Sequence, residues 1–177
     1  MNRLLLGAKA HLQPYSMLRK RKTTVNHMFA SALAEVEAFS SKAVQDQLIS
    51  LGQSPDDPRC VYCGREATTW DHLFPTVRAG EYSGYGHTEA NLVPSCSACN
   101  SAKGGKHWRV YVEQNCADSE AILGRLLPIA QKVEARVESA EDVRARDPVA
   151  YSDYLEIRAK ILALMEQADA LANRLRR

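Results

Sequence analysis

Two cysteine pairs, Cys60-x2-Cys63 and Cys96-x2-Cys99, constrain this chain more than any other feature of its sequence. Each pair presents two thiols from one tight turn, and two such knuckles are the ligand set of a tetrahedral all-cysteine zinc site. A zinc ion held by four thiolates has no open position, so it builds structure and leaves chemistry to the groups around it. The fold must therefore bring the turn at residue 60 against the turn at residue 99. The fifth cysteine, Cys116, is expected to be an ordinary, partly buried small residue.

At 177 residues, 45% hydrophobic and 25% charged, the chain can bury one good core, or a small module with helical additions. No apolar run reaches the length of a membrane span, and Leu4-Leu5-Leu6 is too short for the core of a signal peptide. A cytoplasmic protein with no membrane partner is the expectation, since reduced cysteines in paired motifs bind metal rather than form disulfides. The net charge of +2 is uninformative by itself. Its distribution says more: residues 1–52 hold seven basic and three acidic side chains, whereas the rest of the chain is balanced. The excess centres on the consecutive Arg19, Lys20, Arg21 and Lys22, a run that reads as a solvated segment or as a contact for phosphates.

Thr23-Thr24 is expected to cap an amphipathic helix carrying Met28, Phe29, Leu33 and Val36. Ser40-Ser41 breaks it before a second helical piece that ends at Gly52. Ser54-Pro55-Asp56-Asp57-Pro58 is the clearest boundary, giving an amino-terminal helical segment (1–53), a central module (54–115) and a carboxy-terminal helical hairpin (116–177). Helical periodicity is lost between Glu66 and Pro94. A strand is expected around Asp71-His72 and a second at Asn91-Leu92-Val93-Pro94, with a long exposed loop of Gly80, Tyr82, Gly84, Tyr85 and Gly86 between them. Helices follow from Cys96 to Lys103 and from His107 to Gln114, where His107 and Trp108 serve as anchors. Pro128 predicts a kink or break, and Asp147-Pro148 a helix start. From Tyr154 through Ile157, Ile161, Leu164, Ala168, Leu171 and Leu175 the apolar spacing alternates 3 and 4, a seam suited to an intrachain hairpin or to a homodimer.

The thirty-two residues between Cys63 and Cys96 exceed the roughly 15–20 typical of zinc ribbons. They hold Asp71, a hard carboxylate, and His72, an imidazole able to work near neutral pH, while Asn100 directly follows the last cysteine. Such a set suits metal-assisted hydrolysis of a phosphodiester. In Cys60-Val61-Tyr62-Cys63, Trp70-Asp71-His72, Asn91-Leu92-Val93-Pro94 and Cys96-Ser97-Ala98-Cys99-Asn100-Ser101-Ala102-Lys103-Gly104, the chain resembles the HNH endonucleases, in their zinc-containing ββα-metal branch. The resemblance implies an α+β fold in which a small zinc-stapled ββα-metal module sits between helical segments, mostly α overall. It makes His72 the general base that deprotonates the attacking water. It makes Asp71 and Asn100 the ligands of a catalytic Mg2+ or Mn2+, and Asn91 the residue that braces the loop carrying the histidine. Where the family's other branch has histidine, this chain has Asn100. Lys103 is expected at the surface or on a phosphate, and His87 in a solvated loop or against substrate.

The leading expectation is thus a metal-dependent endonuclease cutting DNA, in a restriction, anti-phage defence or mobile-element system that supplies partner proteins. Two alternatives stand beside it. One is a non-catalytic, zinc-stabilised nucleic-acid-binding module or the nuclease subunit of a larger complex, and the other is a protein-interaction module whose carboxy-terminal seam does the work.

Overall fold

The computed structural model describes Ala8 and residues 12–176; Leu4-Leu5-Leu6 lies outside them. Its centre is a two-stranded antiparallel sheet of β1 (Thr69–His72) and β4 (Leu92–Ser95), with Asp71 opposite Val93 and His72 opposite Leu92. Helix α3 (Ser97–Lys103) leaves β4 at once, with Cys96 in the N-cap position, and packs back on β1. Strand, strand, helix is the expected module, and the fold is α+β and mostly α.

A module this small cannot bury a core alone. Leu73, Phe74 and Val93 pack with Trp108, Tyr111 and Val112 of α4 (Trp108–Asn115) and with Ile122, Leu126, Ile129 and Val133 of α5 (Ser119–Glu134). The core therefore runs through the boundary placed at 116, and α5 closes the module. Cys116 packs half-buried against this core, as expected. No break occurs at Pro128, which lies inside α5. The carbonyl that loses its helical donor belongs to Gly124, four residues earlier and exposed, so water can satisfy it.

The glycine-rich stretch is not an open loop. It contains a hairpin of β2 (Val77–Arg78) and β3 (Glu81–Tyr82), turned by Ala79 and Gly80, both at positive φ (53° and 84°). That is the geometry of a type I′ turn, which ordinarily announces itself by Asn-Gly. Tyr82 is buried beside Val77, Ala30 and Ala34, and Tyr85 stacks on Phe74 with ring centroids 4.4 Å apart.

The amino-terminal helix α1 (Met17–Ala32) begins earlier than Thr23-Thr24, so Arg19, Lys20, Arg21 and Lys22 lie in its first turns rather than in a separate arm. Its N-cap is Ser16, and its free amides are also met by Asp169, whose carboxylate accepts from Met17 N–H (2.7 Å) and Leu18 N–H (3.1 Å). Asp169 belongs to α7 (Pro148–Leu175), a 28-residue helix started by Asp147 and Pro148 as expected. An anion at a helix N-terminus is favourable, and here the last helix supplies it to the first. At the other end of the pair, the Tyr154 hydroxyl donates to the Phe29 carbonyl at 2.9 Å. The carboxy-terminal hairpin is thus replaced by an antiparallel pair made from the two ends of the chain, with α6 (Ala140–Arg146) leading into it. The seam splits accordingly: Tyr154 turns to α1, while Ile157, Leu164, Leu171 and Leu175 stay 52–83% exposed. No helix among the described residues is long and apolar enough to cross a membrane.

The connection from α1 to α2 (Ser41–Ser50) lies along the module. Glu37 and Glu89 cross it with side-chain hydrogen bonds: Glu89 N–H donates to Glu37 (2.9 Å), and Ser40 N–H donates to Glu89 (2.7 Å). From α2, Gln47 donates to the Ala90 carbonyl at 3.1 Å. The segment 87–90 is therefore held from the amino-terminal side.

Candidate active site

The two knuckles meet as their spacing requires. All four Sγ atoms of Cys60, Cys63, Cys96 and Cys99 lie within 4.8 Å of one another, and those of Cys63 and Cys96 are 3.7 Å apart. A tetrahedron with Zn–S bonds of about 2.3 Å has edges of about 3.8 Å, so the donor set fits structural zinc. The Arg65 guanidinium reaches two of the sulfurs, Cys63 at 3.4 Å and Cys96 at 3.8 Å. Burial raises the Cys63 thiol, but hydrogen bonds from Arg65, with those of Cys60 and Cys99, together bring it down to about 6, which favours the thiolate a metal needs. The Val61 N–H donates to the Pro94 carbonyl at 3.0 Å, tying the first knuckle to β4 as well.

This staple fixes β1 between a knuckle and a helix. Successive residues on a strand point to opposite faces, and β1 obeys the rule: Asp71 is buried at 4% exposure, while His72 is half-buried on the other side. The Asp71 carboxylate accepts from the Tyr62 hydroxyl at 2.6 Å, and Lys103 Nζ stands 3.2 Å from both of its oxygens. Lys103 also donates to the His72 carbonyl at 2.7 Å and is 1% exposed. It is therefore neither a surface lysine nor a free phosphate contact in this conformation. Burial pushes the Asp71 carboxyl up and the Lys103 ammonium down, and the attraction between the two opposes both shifts.

Asn91 is fully buried and uses its whole amide. Its Oδ1 accepts from Phe74 N–H (2.8 Å), and its Nδ2 donates to the carbonyls of Phe74 (2.9 Å) and Gly86 (3.0 Å). These bonds join the loop after His72 to the loop before His87. The two histidines face each other there, with His72 Nε2 and His87 Nδ1 3.0 Å apart and their rings edge to face. Burial first, then the neighbouring His87 and Lys103, pulls the His72 imidazole down to about 4, so it is neutral near pH 7. His87 is half-buried rather than an exposed loop residue. His107 stands at the N-cap of α4, accepting from Arg109 N–H at 3.3 Å, beside the buried Trp108.

The expected cation ligands fare differently. Asn100 is half-exposed; its Nδ2 donates to the Trp70 carbonyl at 3.2 Å, and its Oδ1 has no partner among the described residues. Asp71 has both oxygens engaged and almost no exposed surface. A hard cation takes several oxygen ligands in an open arrangement, so Asp71 as placed here does not fit Mg2+ or Mn2+. The sequence reading overlooked Tyr62 and Arg65, which hold Asp71 and the thiolates, and it did not pair His87 with His72. Only the position of Lys103, one turn beyond Asn100, could have signalled that both side chains on α3 reach back to β1.

Residues 60–106 match the family model described as HNH endonuclease, a segment running from the first zinc-ligand cysteine to just past α3. The chain carries an HNH endonuclease domain. Comparison with curated proteins gives no match, and neither does comparison with solved structures.

Removing one member of a buried ion pair leaves the other charged and unpaired, typically at about 3–5 kcal/mol. Lys103→Met is therefore expected to lower unfolding stability on that order in denaturant titrations, and adding Asp71→Asn should return part of the loss. A Lys103→Met protein as stable as the parent would show that the pair is not formed inside the module.

Proposed function

We propose that the chain is a nuclease that hydrolyses DNA phosphodiesters, with His72 as the general base. The observation that carries this reading is the half-buried His72 at the end of β1, inside the segment that matches the HNH model. HNH nucleases act on nucleic acid, and a base must be unprotonated where it works. His72 Nδ1 has no partner among the described residues, which leaves one ring nitrogen for a water. Asn91 is the positioning residue: its three hydrogen bonds fix the backbone on both sides of the histidine pair. No step is assigned to a metal, because the Asp71 carboxylate is closed by Tyr62 and Lys103. A catalytic cation on Asp71 and Asn100 requires Lys103 to release that carboxylate.

The same closure favours a second reading, a zinc-stabilised module that binds nucleic acid without cutting it. Incubation with supercoiled plasmid, with and without added Mg2+, separates the two. Cleavage by the parent and loss of about 10²–10⁴-fold in His72→Ala, with DNA binding retained, is the expected result. A parent protein that binds but never cuts supports the binding module, and a fully active His72→Ala protein places the base elsewhere.

Substrate contact is assigned to Arg19, Lys20, Arg21 and Lys22, all exposed on α1 and without ion-pair partners among the described residues. The antiparallel pairing brings Arg174 and Arg176 to the same end, where Arg176 donates to the Tyr15 carbonyl at 2.8 Å. Each phosphate contact steepens the salt dependence of duplex binding by about 0.9 in log–log slope. Replacing the four basic residues by Gln should flatten the slope measured on the His72→Ala protein; an unchanged slope removes them from the interface.

The exposed line Ile157, Leu164, Leu171 and Leu175 recurs mostly at seven residues, and we assign it to a two-fold homodimer. Light scattering should give twice the chain mass, reverting to one mass in Leu164→Glu. A monomer at working concentrations, on and off DNA, contradicts this.

A further inference from the structure

We propose that His87 is a positioning residue for His72, accepting a hydrogen bond from its Nε2–H and so keeping its Nδ1 proton-free for the attacking water. This rests on the reading of His72 as base, but the geometry that motivates it is independent of that reading. An imidazole has two inequivalent nitrogens, and the partner of one decides which of them carries the proton. The only polar side-chain atom paired with the His72 ring among the described residues is His87 Nδ1, at 3.0 Å. If His87 accepts, the His72 proton is fixed on Nε2 and its Nδ1 lone pair is left free. If His87 donated instead, the proton of a neutral His72 would sit on Nδ1, and the ring would have no free lone pair.

The loop that carries His87 is built to hold this distance. Its N–H donates to the Glu35 carbonyl at 2.7 Å and its carbonyl accepts from Glu37 N–H at 3.3 Å, a short parallel bridge to the α1–α2 connection. Gly86 allows that approach, since a Cβ there would stand 2.8 Å from the Glu35 carbonyl oxygen. The Gly86 carbonyl is in turn held by Asn91, which also holds the backbone behind His72. Both histidines are thus referred to one buried amide. The amino-terminal segment, outside the matched domain, completes the positioning of the pair. Nothing in sequence spacing announces this, because the histidines are fifteen positions apart and the chain between them folds back through the hairpin.

The test compares His87→Ala with His87→Asn, whose Oδ1 can accept the same hydrogen bond. Two readouts are taken: plasmid cleavage, and the ring 15N shifts of His72, which report its tautomer without any turnover. Loss of the partner that orients a metal-bound histidine costs about 10–100-fold, and the same order is expected for this base, so His87→Ala should lower kcat by that factor with KM little changed. His87→Asn should recover most of it. In the parent and in His87→Asn, the shifts should show the proton on His72 Nε2; in His87→Ala, a mixture of tautomers. Full activity in His87→Ala while His72→Ala is dead overturns the proposal and leaves the base assignment standing. Full activity in His72→Ala overturns the base assignment itself. A parent shift pattern with the proton on His72 Nδ1 overturns the proposal whatever the cleavage result, including the case in which the protein does not cut.

Discussion

Four sulfur atoms drawn to one point hold this protein's central module in register. The first knuckle precedes β1, and the second spans the junction of β4 and α3, so closing them on one ion fixes strand, strand and helix together. Two strands of four residues are marginal by themselves. Once the ends are stapled, the pairing of His72 with Leu92 follows, and it sets Asn91 just before the start of β4, where its amide meets the loop after His72. Position of the histidine is thus a consequence of cysteine geometry two elements away.

Inside the staple the module buries charge as well as hydrocarbon. Asp71 and Lys103 form an ion pair shut from solvent, with Tyr62 taking one further lone pair. Such a pair gains little net stability over an apolar one, but it is costly to break by halves, so it enforces one arrangement of α3 on β1. The same pair decides what the site can do at rest. With the carboxylate occupied, the side chain on the other face of β1 is the His72 imidazole, paired with a second imidazole and set beside a loop held by the Asn91 amide. The helical flanks contribute in two ways: α5 closes the hydrophobic core, and the α1–α2 connection braces the segment around His87.

Much of this was legible in the chain. Cysteine spacing gave the staple, the strands around Asp71 and at Leu92 formed as expected, and Asp147-Pro148 opened α7. Features that depend on one contact across the fold were not. The β2–β3 hairpin was hidden because Ala79 occupies a turn position where Asn or Gly would have been the signal. The start of α1 was misplaced because its cap is shared with Asp169, 152 residues from Met17. Lys103 was expected at the surface or on a phosphate because charge on a short helix ordinarily points outward, and only a buried carboxylate on another element reverses that. His87 looked solvated because its loop is glycine-rich, while the glycine at 86 serves close approach instead.

The account stands or falls on the zinc staple. The direct measurement is metal content combined with thermal unfolding of the loaded and metal-stripped protein. Binding free energies of about 10–16 kcal/mol at such sites exceed the stability of a small domain, so one zinc per chain is expected. Stripping it should abolish the cooperative transition of the module, and zinc should restore it. Protein that carries no zinc, or that unfolds at the same temperature with and without it, would contradict the account.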